Sequence, residues 1–195
     1  LTTKEFDYQD LSILNGRLYC VRSSTTSPQD ICFIDTQTKS VTQITFENKH
    51  IFDHIKSVKY EERWVNSSVD DKKIHTYVVY PPDFDSSKKY PTVLFCTGGP
   101  QSMNANTWRY RWNLMLIASN GYIVVAPNRR GCTGFGIEWT EDVSMHFGGH
   151  AQDDLLSAID SVSKESFVDE NKLGCIGASY GGYSVFFQES HHNKR

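Results

Sequence analysis

The sequence has 195 residues, which is room for one ordinary domain or for parts of two. Its formal net charge of −3 disfavours nucleic acid and anionic membranes as partners, because both attract basic surfaces. Hydrophobic residues make up 38% of the chain and charged residues 22%, which is the composition of a folded globular protein. No apolar stretch approaches about 18 residues, so we expect no helix that spans a bilayer.

The chain begins at Leu1, without a basic segment followed by an apolar leader. We therefore expect both ends to be cut points within a longer protein.

Residues 1–46 carry short apolar segments about ten residues apart, a spacing typical of a sandwich, a barrel or a propeller blade. Asn15 and Gly16 separate two of these segments and predict a hairpin with a type I′ turn. A piece of this size cannot bury both of its faces, so we expect further β structure upstream.

Five cysteines show neither a C-x-x-C pair nor the spacing of a zinc site. Cys20 and Cys32 lie on neighbouring predicted strands, where they would either form a disulfide or serve as small buried apolar groups. Cys96 and Cys175 lie in apolar runs and are predicted to be core residues.

Residues 47–56 form a polar bridge, and residues 74–80 predict a half-buried antiparallel strand. From Tyr90 the pattern changes to continuous apolar runs at 92–96, 122–126 and 173–176. Helical patterns follow each run: one has Trp108, Trp112, Met115 and Leu116 on one face, one has Leu155, Leu156, Ile159 and Val162, and one begins at Gly181. The alternation predicts an α/β fold whose parallel sheet is covered on both faces.

Residues 177–181, G-A-S-Y-G, fit the nucleophile elbow G-x-S-x-G at the end of the third apolar run. The elbow needs its glycines because the serine occupies a strained turn between strand and helix, where larger side chains would clash. We predict Ser179 to be a nucleophile. The alternative is a tight packing turn that carries an ordinary serine.

Acyl transfer also needs two N–H donors for the developing oxyanion. We predict the backbone N–H of Tyr180 as one donor and that of Gly99, in the loop after the first apolar run, as the other. The alternative for the loop that contains Gly99 is a glycine turn whose only role is to reverse the direction of the chain.

The general base and its carboxylate partner are not evident in the sequence. His191 lies 12 positions beyond Ser179 along a predicted helix, about 18 Å away at about 1.5 Å per residue, which is too far for a hydrogen bond. His192 lies one position farther, and the upstream His146 and His150 have no topological reason to reach Ser179. We therefore expect the catalytic aspartate or glutamate and the histidine to lie outside this chain.

These motifs resemble the prolyl oligopeptidase family of serine peptidases, and within it the branch of acylaminoacyl peptidases and bacterial dipeptidyl peptidases of the type V kind. The similarity runs from about residue 40 to residue 195. The residues that carry it are 97–102, 110–113, 127–139, 148–149, 153–156 and 177–183. Other branches have tyrosine or histidine where Thr97 stands, which leaves the Gly99 N–H as the expected second oxyanion donor.

The resemblance implies a β-propeller packed over an α/β-hydrolase domain. Residues 1–46 would be the last propeller strands, and residues 47–195 the N-terminal part of a hydrolase domain that ends before its acid and histidine. It further implies a peptide substrate and dipeptide release from N-termini. An acylaminoacyl peptidase or broader oligopeptidase is the alternative, and an inactive fragment of such an enzyme is the alternative of another class. We expect no cofactor, metal, nucleic-acid or membrane partner.

Overall fold

The computed structural model describes residues 2 and 6–192, which divide into two compact units. The first unit comprises the described residues up to Ser57 together with Ala105–Met115. The second comprises Val58–Asn104 and the described residues from Leu116 onward. The predicted domain boundary between residues 46 and 47 stays a prediction.

The first unit contains an antiparallel sheet of four strands paired in chain order. Asn15 and Gly16 join the first two strands with φ angles of 50° and 74°, which confirms the predicted type I′ hairpin. The elements of this unit are β1 (Asp7–Leu14), β2 (Arg17–Ser24), β3 (Ser27–Asp35), β4 (Val41–Gln43) and the short helix α1 (Lys49–Phe52).

Cys20 and Cys32 are register partners on β2 and β3, and both are buried against Ile34. Both are free thiols, and their Sγ atoms lie 3.3 Å apart, within hydrogen-bonding range for sulfur. Of the two predicted alternatives, the structure therefore has these cysteines as small buried core residues and not as a disulfide.

The second unit is an α/β structure built on a mixed five-stranded sheet in the order β5-β6-β8-β7-β9. The predicted parallel pairing of the three apolar runs is confirmed, because β7 pairs in parallel with both β8 and β9. The strands are β5 (Tyr60–Asn66), β6 (Lys73–Val79), β7 (Tyr90–Cys96), β8 (Ile123–Asn128) and β9 (Val168–Gly177). The helices are α2 (Leu114–Ala118), which crosses the unit boundary, α3 (Ile137–Glu141), α4 (His150–Ser163) and α5 (Tyr180–His191).

Helix α4 buries the predicted apolar face, with Leu155, Ile159 and Val162 packed against the sheet core. The same core takes Leu94 of β7 and Val125 of β8. Within the described residues, no helix combines the length and apolar character needed to cross a membrane.

Two predictions about elements were wrong. The helix predicted to carry Trp108 and Trp112 is only Leu114–Ala118, because Trp112 has a φ of 59°, in the left-handed region that ends a right-handed helix. Within the first unit, Asn106 instead accepts a hydrogen bond from the Thr25 N–H, and Trp108 packs edge-on against Phe52. Strand β6 is antiparallel as predicted but almost wholly buried, since it lies between β5 and β8.

Candidate active site

Ser179 lies on the turn between β9 and α5, at the carboxyl end of the parallel strands. Its backbone angles, φ 56° and ψ −126°, are rare for any residue with a side chain and cost about 1–3 kcal/mol. The residue is exposed. A strained backbone at an exposed serine is what the elbow pattern predicted, although the catalytic role of Ser179 stays a prediction.

The glycines of the elbow are required by close backbone packing. A Cβ atom at Gly177 would lie 2.5 Å from the carbonyl oxygen of Gly181, and a Cβ at Gly181 would overlap the carbonyl oxygen of Cys96. Real Cβ atoms do not make contacts this short, so α5 can begin this close to β7 only with glycine at both positions.

The loop after β7 lies directly against this turn. Cys96 and Gly177 are register partners at the ends of β7 and β9, so the segments that follow them emerge side by side. A Cβ at Gly98 would lie 2.5 Å from the Ala178 carbonyl oxygen and 3.7 Å from the Ser179 Cβ. The structure therefore brings together the two segments that contain Ser179, Tyr180 and Gly99.

The two backbone N–H groups predicted as oxyanion donors have no hydrogen-bond acceptor among the described residues. Tyr180 is the first residue of α5, where the backbone N–H has no partner within the helix. Across residues 2 and 6–192, neither the Tyr180 N–H nor the Gly99 N–H donates a hydrogen bond to another protein atom. An oxyanion is stabilised by N–H groups that have no other acceptor, and the assignment of these two to that role stays a prediction.

The Tyr180 side chain points away from solvent and fixes the start of α5. Its hydroxyl donates to the Phe147 carbonyl at 2.9 Å and accepts from Gln152 Nε2 at 3.0 Å. Burial raises the pKa of this hydroxyl above its usual value. Gln152 also donates to Ser184 Oγ at 3.0 Å, so α4 and α5 are tied together directly behind the elbow.

The histidines nearest in sequence to the elbow are engaged elsewhere. His191 stacks on Phe187 with 4.0 Å between ring centroids, and its Nδ1 lies 2.7 Å from Ser190 Oγ. His146 Nδ1 lies 3.1 Å from the Ser144 carbonyl oxygen. His150 Nδ1 lies 3.6 Å from Asp142.

His75 is held by Glu62, 2.9 Å from Nε2, and by the Asn128 amide, 3.1 Å from Nδ1. Asn128 Oδ1 accepts from the Asn104 N–H, so its NH₂ group faces His75. The His75 Nδ1 is therefore an acceptor, and the ring proton lies on Nε2. In the part of the chain that the structure describes, no histidine hydrogen-bonds to Ser179.

Two adjacent arginines at the end of β8 were missed by the sequence reasoning. Arg130 is buried and pairs with Asp154, Asp70 and Asp142 at N–O distances of 3.2, 2.7 and 3.4 Å. Arg129 is equally buried, but its guanidinium donates to backbone carbonyls of the Gly99 loop. The repeated arginine at 129–130 was the available signal, but a sequence does not show which charges will meet.

Among the described residues, no three His, Cys, Asp or Glu side chains converge as metal ligands would.

Comparison with protein families matches residues 108–194 to the model described as the prolyl oligopeptidase family. The chain is 43% identical over all 195 residues to the dipeptidyl-peptidase 5 of Porphyromonas gingivalis and spans 28% of that relative's length. It is 30% identical over 191 residues to the dipeptidyl-peptidase 5 of Schizosaccharomyces pombe, of which it spans 27%.

Solved structures share the fold of this chain. The acylaminoacyl peptidase of Pyrococcus horikoshii superposes with a TM-score of 0.85 at 23% identity, over 98% of this chain and 30% of its own. The dipeptidyl peptidase 4 of Porphyromonas gingivalis gives 0.75 at 21% identity, over 95% of this chain and 27% of its own. The resemblance predicted from the motifs is confirmed: residues 108–194 match the prolyl oligopeptidase family, and the relatives and solved structures to which the chain is similar are peptidases by name.

Proposed function

We propose that the protein carrying this chain is a serine peptidase that uses Ser179 as its nucleophile. The observation that carries this proposal is the strained, exposed backbone of Ser179 beside two unpaired N–H groups, those of Tyr180 and Gly99. A serine that served only in packing would not need an exposed hydroxyl on a costly backbone conformation.

In the proposed reaction Ser179 Oγ attacks the carbonyl carbon of the scissile peptide bond while a general base removes the hydroxyl proton. The oxyanion that forms accepts hydrogen bonds from the Tyr180 and Gly99 N–H groups. The C–N bond then breaks as the base returns its proton to the leaving amine, which leaves an acyl group on Ser179. Water hydrolyses this acyl-enzyme by the same steps.

We infer that the general base and its carboxylate partner come from residues outside the described chain. Among the described residues, no histidine hydrogen-bonds to Ser179. Four of the histidines have other polar partners: His75, His146, His150 and His191. Removal of one triad member leaves only a small residue of activity. Residues 1–195 by themselves are therefore expected to be inactive.

The two units fit the domain arrangement that the resemblance implies. We propose that residues 1–46 are the last strands of a β-propeller, because β1–β4 form an antiparallel sheet paired in chain order, as in a blade. We propose that residues 47–195 are the N-terminal part of an α/β-hydrolase domain, with parallel strands β8, β7 and β9 and an elbow at the end of β9.

The proposed activity is the release of dipeptides from the free N-termini of oligopeptides. Relatives named dipeptidyl-peptidase 5 support this choice. The alternative is removal of a blocked N-terminal residue, which the acylaminoacyl peptidases among the structural neighbours support.

One pair of substrates separates the two activities. The protein carrying this chain would be incubated with one hexapeptide in its free-amine and N-acetylated forms, and the products weighed by mass spectrometry. Dipeptide release from the free-amine form alone is the expected result. Release of an acetylated residue from the blocked form alone would favour the alternative, and cleavage of neither peptide, by wild type and Ser179→Ala alike, would favour an inactive protein.

A further inference from the structure

Arg129 is a buried cation without a carboxylate partner. Its side chain is 1% exposed, and within the described residues no Asp or Glu oxygen lies within ion-pair distance of it. A buried charge costs several kcal/mol unless other groups compensate it. Arg130, the next residue, has three carboxylates around it, so the two arginines meet this cost in different ways.

Arg129 donates one hydrogen bond to the Arg130 carbonyl oxygen, at 2.8 Å, and three to backbone carbonyls of the loop that contains Gly99. Nη2 donates to the carbonyl oxygens of Thr97 and Gly99, each at 3.3 Å, and Nη1 donates to that of Pro100 at 2.9 Å. The Thr97 and Gly99 carbonyls belong to the peptide units immediately before and after the Gly98–Gly99 peptide. Arg129 therefore hydrogen-bonds to the peptide units on both sides of the one that carries the Gly99 N–H.

Ser102 fixes the direction of that peptide. Its hydroxyl donates to the Gly98 carbonyl oxygen at 2.7 Å. In a trans peptide the C=O and the following N–H point in opposite directions, so this bond aims the Gly99 N–H away from Ser102. A Cβ at Gly98 would lie 3.7 Å from the Ser179 Cβ, which places this peptide at the elbow.

The same guanidinium also contacts the residue that carries the other donor. The Arg129 Cζ lies 4.4 Å from the centre of the Tyr180 ring, in the position of a cation–π contact. One side chain thus touches both segments that carry the proposed donors. The loop after β7 and the first turn of α5 are connected through it.

We propose that Arg129, together with Ser102, positions the oxyanion donors and that the uncompensated charge of Arg129 favours the negative charge of the tetrahedral intermediate. This inference rests on the proposed function. In the low-dielectric interior, a fixed cation beside the Gly99 and Tyr180 peptides stabilises an anion bound by their N–H groups more than the neutral substrate. Arg129 does not touch the substrate, so it is a positioning residue and not a catalytic one.

The test compares Arg129→Lys with Arg130→Lys in the protein carrying this chain. Lysine keeps the charge but cannot reach several carbonyls at once, because it lacks the planar fork of arginine. Arg130 is the matched control: it is adjacent and equally buried, but the partners of its side chain are three carboxylates and Ser67, none of them in the Gly99 loop or the elbow. Steady-state kinetics would be measured on a dipeptidyl coumarinamide substrate below the unfolding temperature of each variant.

We expect Arg129→Lys to lower kcat by about 10²-fold, with KM changed by less than about 3-fold, as for the loss of an oxyanion-hole donor. Arg130→Lys is expected to lower the unfolding temperature while kcat stays within about 3-fold of wild type. Unchanged kcat in Arg129→Lys, or equal losses of kcat in the two variants, would overturn the inference.

Ser102→Ala keeps the inference testable if Arg129→Lys does not fold. It removes only the hydroxyl that holds the Gly98 carbonyl, and kcat is expected to fall at least about 10-fold with KM nearly unchanged. An unchanged kcat would contradict the positioning role. Ser179→Ala separates this inference from the proposed function. Full activity in Ser179→Ala would show that the proposed nucleophile is wrong. An inactive Ser179→Ala together with fully active Arg129→Lys and Ser102→Ala would show that only the positioning role is wrong.

Discussion

The backbone of Gly181 in the first turn of α5 packs directly onto the carbonyl group of Cys96 at the end of β7. A Cβ at Gly181 would overlap the Cys96 carbonyl oxygen and would lie 3.2 Å from the Gly98 nitrogen. This contact joins the helix that begins at the serine to the strand that leads into the Gly99 loop. The elbow and the Gly99 loop can therefore lie this close together only because residue 181 has no side chain.

Gly181→Ala is expected to destabilise the protein by about 1–3 kcal/mol or more, because backbone atoms on both sides must move to admit the methyl group. Gly182→Ala is the matched control, since its Cβ would meet only the Gly177 carbonyl oxygen, at 3.7 Å. Alanine there is expected to be neutral or to stabilise the helix by up to about 1 kcal/mol. Urea unfolding of both variants checks this, and equal stabilities would contradict the packing account.

Asp154→Asn is expected to cost about 3–5 kcal/mol, because it leaves the buried Arg130 without its most deeply buried counter-charge. Asp154 is fully buried and accepts hydrogen bonds from the Arg130 N–H and Nε and from Ser67 Oγ. Asp153→Asn, at the exposed neighbouring position, is expected to cost less than about 1 kcal/mol. Thermal unfolding compares the pair, and similar midpoints would show that the Arg130 network contributes little.

Stability is expected to fall as the pH rises from about 10 to 12, in part because of Tyr80. Burial, together with the hydrogen bond that its hydroxyl donates to Glu61, raises the pKa of Tyr80 to about 12. Since the unfolded tyrosine loses its proton first, the stabilisation is complete below the unfolded pKa and is lost as pH approaches the folded one. Tyr80→Phe should flatten this part of the pH–stability curve.

Tyr110→Phe is the control for that measurement, because Tyr110 is 74% exposed. The curve of this variant should keep the wild-type slope between pH 10 and 12. A wild-type slope in Tyr80→Phe as well would contradict the role assigned to Tyr80.

Three buried cysteines are expected to resist alkylation in the folded protein. Burial raises the pKa values of Cys32 and Cys96 to about 12 and that of Cys132 to about 11, so almost no thiolate is present near neutrality. Iodoacetamide at pH 8 should label these positions much more slowly in buffer than in urea. Peptide mass mapping reports each site, and equal rates in the two conditions would show that these thiols are accessible.

The parallel strands and the elbow could be predicted because their signals are local. Buried parallel strands appear as continuous apolar runs, and the glycines at 177 and 181 are forced by backbone overlap whatever lies farther away. The serine and the two N–H groups were predicted as site residues from equally local signals. The structure brings the segments that carry them together, and their catalytic roles stay predictions.

The features that were missed depend on contacts between distant residues. Trp108 and Trp112 have helical spacing, but the segment around them bonds to Ser23 and Thr25 instead of forming a helix. The half-burial predicted for β6 failed because its neighbours in the sheet were unknown. Arg130 contacts carboxylates and Arg129 contacts backbone carbonyls because different segments pack against the two side chains. Two adjacent arginines in a sequence do not show which segments these will be.

Covalent labelling of Ser179 tests the central claim most directly. The protein carrying this chain would be treated with a fluorescent fluorophosphonate, and the modified peptide identified by mass spectrometry in wild type, Ser179→Ala and Ser190→Ala. Ser190 is an exposed serine on the same helix, so its variant controls for non-specific labelling. The account predicts one adduct at Ser179, absent in Ser179→Ala and unchanged in Ser190→Ala. An adduct that persists in Ser179→Ala, or that maps to another residue, would contradict it.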